Sequence, residues 1–264
     1  MTKHIIEVEN LVKHFGRIKA VDGITFHVNK GEIFAFLGPN GAGKSTTIKM
    51  LTTILRPDSG RILIDRVNAV ADPNSVRRKF GIVFQDPSLD DELTAYENLY
   101  FHGMLYDLPS DVLKDRIKEL LGMVELWERR NDFVKNFSGG MKRRLEIARG
   151  LIHHPQILFL DEPTIGLDPQ TRAHIWDYIK KLNRNEGLSV FFTTHYMDEA
   201  EKTADYIIVI DHGKIVGEGT KKEILKKTGK KSLDDAFIKM TGHQIREEEA
   251  SPIDMMRLRR RMRR

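Results

Sequence analysis

The sequence contains no cysteine, and its 264 residues include only nine prolines. Without cysteine the chain can form no disulfide, no thiolate nucleophile and no cysteine-ligated zinc site. No apolar run approaches the roughly 18 residues that a membrane helix needs, and residues 1–9 lack the apolar stretch of a signal peptide. With 40% apolar residues available for a core, we expect a soluble, intracellular, globular chain.

The basic charge is concentrated at the C terminus. The formal net charge is +5, but residues 257–264 include six arginines and no acid, which leaves −1 for the remainder. The overall charge therefore does not predict a nucleic-acid-binding face. We expect residues 243–264 to form a charged, flexible tail. The alternative is a short amphipathic helix on anionic lipid, with Met255, Leu258 and Met262 on one face.

Hydrophobic patterning predicts an α/β fold. Short apolar runs alternate with helical patterns, which is typical of a parallel sheet flanked by helices. An N-terminal β-rich segment precedes this sheet, with Gly16 and Gly23 as turn residues between its strands. The predicted strands are 5–10, 24–28, 33–37, 61–65, 81–85, 157–160, 189–192 and 206–210.

A helical segment at about 87–152 interrupts the predicted sheet, within a domain that spans residues 4–242. Apolar residues repeat there at the spacing of one helix face. Further helices are predicted after a capping box at Thr220 and Glu223 and over 232–241. The residues of the amphipathic face are Leu113, Ile117, Leu120, Leu121 and Val124.

A glycine-rich segment follows the apolar run 33–37 and precedes a predicted helix. Its spacing matches the P-loop, in which glycines let successive amides point at one phosphate. Lys44 supplies a cation for the β- and γ-phosphates, and the Ser45 hydroxyl can ligate Mg²⁺. A glycine-rich turn that matches by chance is the alternative, and the flanking strand and helix disfavour it. The phosphate-binding candidates are Gly38, Pro39, Asn40, Gly41, Ala42, Gly43, Lys44 and Ser45.

Two carboxylates follow the apolar run 157–160. Asp161 and Glu162 are expected at the carboxyl edge of the sheet, where the P-loop also lies. Because adjacent strand residues point in different directions, we assign Asp161 to Mg²⁺ and Glu162 to the attacking water as general base. The alternative is an acidic turn in which Asp161 caps a helix.

Ser138, Gly139 and Gly140 precede another helical pattern and form a candidate second anion site. One P-loop leaves no evident use for a second phosphate-binding helix end within the chain, whereas two chains facing each other would use both. From this segment alone, an N-cap serine followed by flexible glycines is the simpler interpretation.

Three isolated side chains complete the candidates. His195 follows an apolar strand and can bind the γ-phosphate or orient the water. Gln85 follows another short strand and can act as a neutral sensor beside the metal. Phe15 is either a stacking platform for a purine or a core aromatic.

The order of these motifs resembles that of the ATP-binding subunit of ATP-binding-cassette (ABC) transporters, over roughly residues 4–242. A P-loop that includes Thr46, a glutamine loop at Gln85, a signature segment at Ser138, an aspartate loop ending at Asp168 and a switch histidine at His195 follow that family's order.

The sequence departs from the family pattern in three places. Phe137 and Met141 flank the serine and glycines of the signature where leucine and glutamine are usual, and Phe15 stands where tyrosine is common. The serine, the glycines and the aromatic ring remain. Residues 87–109 and 234–242 are most similar to the subfamily that powers exporters of drugs, antibiotics, lipids or polysaccharides.

The resemblance implies an ATPase that binds ATP and Mg²⁺ and closes head to tail on a second cassette, identical or different. Two ATP molecules would lie between the P-loop of one subunit and the signature helix of the other. A separate membrane permease would receive the motion through residues 85–106, with Glu92 or Glu97 at the contact. The subunit would then lie in the cytoplasm, on the inner face of the cell membrane.

The sequence disfavours two other functions. A soluble, non-transport ATPase of the same superfamily, acting on nucleic acid or ribosomes, is disfavoured because Ser45 and Ser138 are too close in sequence to enclose a long coiled coil. A regulatory module that binds ATP without turnover is disfavoured because Glu162 is present.

Overall fold

The computed structural model describes residues 4–242, in which two β-sheets and nine α-helices are assigned. The strands are β1 (His4–Phe15), β2 (Ile18–Asn29), β3 (Ile33–Leu37), β4 (Ser59–Ile64), β5 (Val67–Asn68), β6 (Phe80–Val83), β7 (Ile157–Asp161), β8 (Ser189–Thr194), β9 (Tyr206–Asp211) and β10 (Lys214–Gly219). The helices are α1 (Lys44–Leu51), α2 (Pro73–Arg77), α3 (Ala95–Met104), α4 (Ser110–Met123), α5 (Gly139–Gly150), α6 (Pro169–Glu186), α7 (Met197–Thr203), α8 (Lys221–Thr228) and α9 (Leu233–Thr241).

The central sheet has the strand order β10-β9-β3-β8-β7-β6. Strands β9, β3, β8, β7 and β6 are parallel, and β10 pairs antiparallel with β9 at one edge. All five residues of β3 are buried, as expected for a strand covered on both faces. The α/β fold with a parallel sheet and an antiparallel β subdomain is therefore confirmed.

Alternate residues of β3 belong to two different cores. Phe34 and Phe36 pack with Phe26 of the antiparallel sheet, whereas Ala35 and Leu37 pack on the helical side. This follows from the alternation of side chains along a strand. The central sheet thus has the second sheet, α1 and α2 on one face and helices α3 to α9 on the other.

The antiparallel sheet has the order β2-β1-β4-β5. Gly16 lies in the turn between β1 and β2, as predicted, but Gly23 lies inside β2. It sits where the register shifts between the pairs Leu11–Ile24 and Val12–Asp22, with φ of +75°. Its glycine signal marks a bulge in a longer strand rather than the turn that the sequence suggested.

Helices α3, α4 and α5 lie between β6 and β7 in the chain, within the segment predicted to be helical. The predicted apolar face of α4 is confirmed, because Leu113, Ile117, Leu120, Leu121 and Val124 are all buried. Short 3-10 turns at Trp127–Arg129 and Val134–Asn136 connect α4 to α5.

Several strand boundaries differ from the sequence prediction. Strand β6 ends at Val83, so Gln85 lies outside the strand. Strand β10 was not predicted, because an edge strand with one solvated face has a weak apolar signal. The capping box at Thr220 and the helix after Ser232 are confirmed. The predicted tail, residues 243–264, lies outside the described residues. No helix within residues 4–242 is long and apolar enough to cross a membrane.

We expect Gly81→Ala to lower the free energy of unfolding by about 3 kcal/mol. Strand β6 touches the end of α5 there, and a Cβ on Gly81 would lie 1.9 Å from the Gly150 carbonyl oxygen. Gly122→Ala on α4 is the matched control. A Cβ meets nothing within 4 Å at that position, so alanine should stabilise the helix by up to about 1 kcal/mol. Urea denaturation measures both, and equal effects would contradict the contact.

Candidate functional site

Backbone geometry requires glycine at two positions of the loop between β3 and α1. A Cβ on Gly38 would lie 2.4 Å from the Ile210 carbonyl oxygen, and one on Gly43 would lie 2.3 Å from that of Ala20. Gly43 also has φ of +108°, which side-chain-bearing residues rarely adopt. The loop is therefore fitted tightly against β2 and β9.

The N terminus of α1 can accept an anion. Gly43 is the N-cap residue of this helix and has no side chain, so no side-chain oxygen accepts a hydrogen bond from the first amides of the helix. The Lys44 side chain, 5% exposed, folds back over the loop, where its Nζ donates to the carbonyls of Gly38 at 2.8 Å and Pro39 at 3.1 Å. Asn40 and Gly41 form the exposed tip of the loop, Ala42 is buried, and Ser45 and Thr46 are half-buried.

Asp161 ends β7 beside α1, at 3% exposure. Its Oδ1 accepts hydrogen bonds from the hydroxyls of Thr193 at 2.6 Å and Ser45 at 3.3 Å. Burial raises the pKa of Asp161, and these two hydrogen bonds oppose that shift. A carboxylate next to a serine hydroxyl supplies the hard oxygen atoms that Mg²⁺ prefers. Residues 4–242 contain no group of three His, Cys, Asp or Glu that could hold a metal, so further ligands would come from phosphate or water.

Glu162 adopts φ of +48°, and its side chain contacts a different set of partners from that of Asp161. Its Oε1 lies 3.1 Å from Lys44 Nζ, and its Oε2 lies 2.5 Å from His195 Nδ1. Burial would raise the pKa of Glu162, but the His195 hydrogen bond and the Lys44 charge outweigh burial and lower it. Glu162 is therefore an ionised carboxylate at neutral pH.

The structure brings five predicted residues together at the carboxyl edge of the sheet. Lys44, Ser45, Asp161, Glu162 and His195 are joined by the contacts just described. The other candidates lie outside this group.

Gln85 lies apart from that cluster. It is exposed and lines a cavity of about 210 Å³ together with Gly139, Arg143 and Pro163. No hydrogen bond in residues 4–242 joins its side chain to Asp161. Its neighbours belong instead to α5 and to the turn after β7.

Ser138 caps α5, accepting a hydrogen bond from the Met141 amide at 3.3 Å. A Cβ on Gly140 would lie 2.7 Å from Thr171 of α6, whereas one on Gly139 would meet nothing within 4 Å. The segment therefore packs against α6 on one side and is open on the other, and no hydrogen bond within residues 4–242 joins it to the P-loop.

Phe15 ends β1 with 49% of its surface exposed, which excludes the core interpretation. Lys13 Nζ lies 5.7 Å from the centre of its ring. The ring is on the same hairpin as Ala20, whose carbonyl oxygen contacts the Gly43 position.

Sequence inspection missed Thr193 and Arg143. Besides its bond to Asp161, the Thr193 hydroxyl accepts from the Glu162 amide at 3.0 Å. A threonine pair ending an otherwise apolar strand was the available signal. Arg143 donates to the Glu162 carbonyl at 3.1 Å, and nothing distinguished it in a run of three basic residues.

Comparison with known proteins gives a consistent match. The family model described as ABC transporter matches residues 21–165. A linearmycin resistance ATP-binding protein of Bacillus subtilis is 42% identical over 92% of this chain and 76% of its own length. A Nod factor export ATP-binding protein of Ralstonia nicotianae is 39% identical over 84% of this chain and 68% of its own.

A solved ATP-binding cassette, a dimer in a post-hydrolysis state bound to ADP and Pi, superimposes with a TM-score of 0.74 at 30% identity. The match covers 81% of this chain and 98% of that one. These comparisons give no support to an ATPase that acts on nucleic acid or ribosomes.

We expect Asp161→Asn to raise the free energy of unfolding at pH 7 without Mg²⁺. The folded-state pKa of Asp161 is raised above its ordinary value of 3.8, so the parent chain loses stability as pH rises through that pKa. The advantage of asparagine should vanish below pH 3.8, where both side chains are neutral. Urea denaturation across this pH range measures it.

Asp168→Asn is the control of opposite sign. Hydrogen bonds from Thr171 lower the pKa of Asp168. The ionised Asp168 carboxylate therefore stabilises the fold above its ordinary pKa, and this stabilisation is lost as pH falls. Asparagine there should lower stability at pH 7. Reduced stability of Asp161→Asn at pH 7 would contradict the burial argument.

Proposed function

This chain belongs to the ABC transporter family as an ATP-binding, ATP-hydrolysing subunit, and on that basis we propose that it powers an exporter by closing on a second cassette around ATP. The observation that carries the proposal is the contact of Glu162 with both Lys44 and His195 beside the paired oxygens of Ser45 and Asp161. One edge of the sheet thus combines groups suited to binding phosphate and to removing a proton from water.

Lys44 and the amides at the start of α1 bind the β- and γ-phosphates in this proposal. The Lys44 ammonium is within ion-pair distance of Glu162, so the phosphate that it binds would also lie near that carboxylate. The exposed ring of Phe15 stacks on the adenine. Ser45 and Asp161 would hold Mg²⁺, which supplies charge neutralisation to the phosphate oxygens when bound.

Glu162 acts as the general base. It accepts a proton from a water molecule, whose oxygen attacks the γ-phosphorus and releases ADP and phosphate. His195 holds the carboxylate through Nδ1, and its opposite ring nitrogen, Nε2, is assigned to the γ-phosphate. Gln85 joins this group from the neighbouring cavity when the site closes on nucleotide.

Two chains complete each site. Ser138 caps a helix whose first residue, Gly139, has open space beside it, so a phosphate from another subunit can approach these amides. Gly140 packs against Thr171 and sets the position of that helix end. A related cassette is a dimer in its ADP and Pi state, which supports the same arrangement here.

Helix α3 is the proposed contact with a membrane permease. Phe101, Met104 and Leu105 expose 49%, 52% and 79% of their surface near its C-terminal end, a cluster of apolar side chains suited to a protein partner. The two acidic candidates for this contact precede or begin the helix: Glu97 forms the capping box of α3 with Thr94, and Glu92 pairs with Lys135. Binding there would hold the subunit at the inner face of the membrane.

The cargo proposal rests on the relatives. One is named for resistance to linearmycin and another for export of Nod factor. We assign this chain to the export of drug-like, lipid or polysaccharide molecules.

We expect Glu162→Gln to lower the rate of ATP hydrolysis at least about 100-fold, because the amide cannot accept the proton from water. The variant should still bind ATP and accumulate as a dimer in ATP and Mg²⁺. Phosphate release gives the rate, and size-exclusion chromatography with light scattering gives the mass.

Lys44→Ala in the Glu162→Gln background is the control for that experiment. It removes the phosphate-binding cation and should give a monomer under the same conditions. Turnover retained by Glu162→Gln would contradict the role of the base. A monomer with ATP demonstrably bound would contradict the homodimer and point to a different partner cassette.

We expect Leu105→Asp to abolish transport by the complex of this chain with its permease while leaving hydrolysis by the isolated chain within about twofold. A charge on the exposed apolar cluster would oppose docking, and the residue is distant in sequence from the hydrolytic groups. Ile54→Asp is the matched control, since Ile54 is 58% exposed after α1. Normal transport by Leu105→Asp would remove α3 as the contact.

A further inference from the structure

Arg143 is a buried arginine whose five N–H donors all have acceptors. It is 6% exposed, on the first turns of α5. Its Nε donates to the Pro163 carbonyl at 2.6 Å, and its Nη2 donates to the carbonyls of Asp161 at 3.2 Å and Glu162 at 3.1 Å. Its Nη1 donates to the Phe84 carbonyl and to Glu146 Oε2. A guanidinium has five such donors, so its hydrogen-bonding capacity is fully used.

These acceptors belong to the two segments that flank the hydrolytic group. Three consecutive carbonyls, at 161–163, come from the turn that carries the general base, and that turn includes the left-handed backbone of Glu162. The fourth, from Phe84, immediately precedes Gln85. One side chain of α5 thus hydrogen-bonds both the turn that carries Glu162 and the residue that precedes Gln85.

Glu146 completes the same connection from the next turn of α5. Its Oε2 accepts from Arg143 at 3.1 Å, and its Oε1 accepts from the Ser88 amide at 2.8 Å. Residues 84–88, which contain Gln85, are therefore bound to α5 at both ends. Burial lowers the pKa of Arg143, and the Glu146 carboxylate opposes that shift.

We propose that Arg143, with Glu146, is a positioning residue that couples the position of α5 to the positions of Glu162 and Gln85. The proposal rests on the roles assigned above to Glu162, Gln85 and Ser138. Because Ser138 caps the same helix, contact of that helix with the nucleotide of a second subunit would also set the position of the chain's own general base. Each subunit would then hydrolyse its ATP only when its α5 is docked on the other.

Lysine cannot replace arginine in this arrangement. Lysine has three N–H donors on one nitrogen. The four carbonyls and Glu146 are instead arranged around the planar guanidinium, which has five N–H donors on three nitrogens. Arg143→Lys keeps the charge and much of the length but releases at least two acceptors. We expect kcat for ATP to fall about 100-fold, the scale of a small misplacement of catalytic groups, while the ATP affinity changes less than about threefold because the P-loop is untouched.

Arg116→Lys is the matched control. Arg116 is 5% exposed, pairs with Glu119 three residues later and donates to the Leu151 carbonyl, but touches neither the turn at 161–163 nor residues 84–88. It should keep the parent kcat, although it loses stability as Arg143→Lys does. Thermal unfolding of both variants provides the comparison.

A second variant covers the case in which Arg143→Lys folds poorly. Arg143→Met combined with Glu146→Leu removes the charged pair together, so no buried charge is left unpaired, although the backbone carbonyls lose their donor. We expect higher stability than for Arg143→Met alone, with kcat still about 100-fold low. Recovery of kcat together with stability would show a structural role only and overturn the proposal, as would parent kcat in Arg143→Lys.

The parent chain and Glu162→Gln are measured in the same assay. Parent-like kcat in Arg143→Lys with an inactive Glu162→Gln would reject the coupling and leave the hydrolytic roles standing. Turnover by Glu162→Gln would reject the role of the base itself.

Discussion

Burial of opposite charges at one edge of a parallel sheet is the constraint on which the rest of the site depends. Lys44, Asp161 and Glu162 are each less than 10% exposed, and a buried charge is costly unless it is paired and hydrogen-bonded. The parallel register aligns Asp161 with Thr193 and Leu37 with Thr194. Strand pairing therefore brings the P-loop, the carboxylates and the histidine to one place, where each neutralises or orients another.

The site retains features that do not favour stability. Glu162 has a left-handed backbone that a non-glycine residue rarely adopts, and burial works against the ionised form of Asp161. Thr193 bonds to both residues and limits these costs. Such local strain is expected where a group must be ready to bind a metal or move a proton, rather than where packing alone decides the residue.

Local spacing explains how much of this could be predicted from sequence. The P-loop and the two carboxylates are each carried by one strand and the residues after it, so periodicity placed them correctly. Arg143 could not be found in this way, because its partners lie about 20 and 59 residues away in the chain. The position of Gln85 relative to α5 and the bulge at Gly23 likewise depend on long-range pairing, which a local pattern does not encode.

The contact between Gly81 and Gly150 has a mechanical consequence. Two backbones touch there without side chains between them. Leu145 and Leu151 of the same helical segment are buried in one core with Val83 and Leu158 of the sheet, and a close-packed interface resists small displacements and transmits strain. A displacement of α5 would therefore be passed on to the edge of the sheet rather than taken up in a gap.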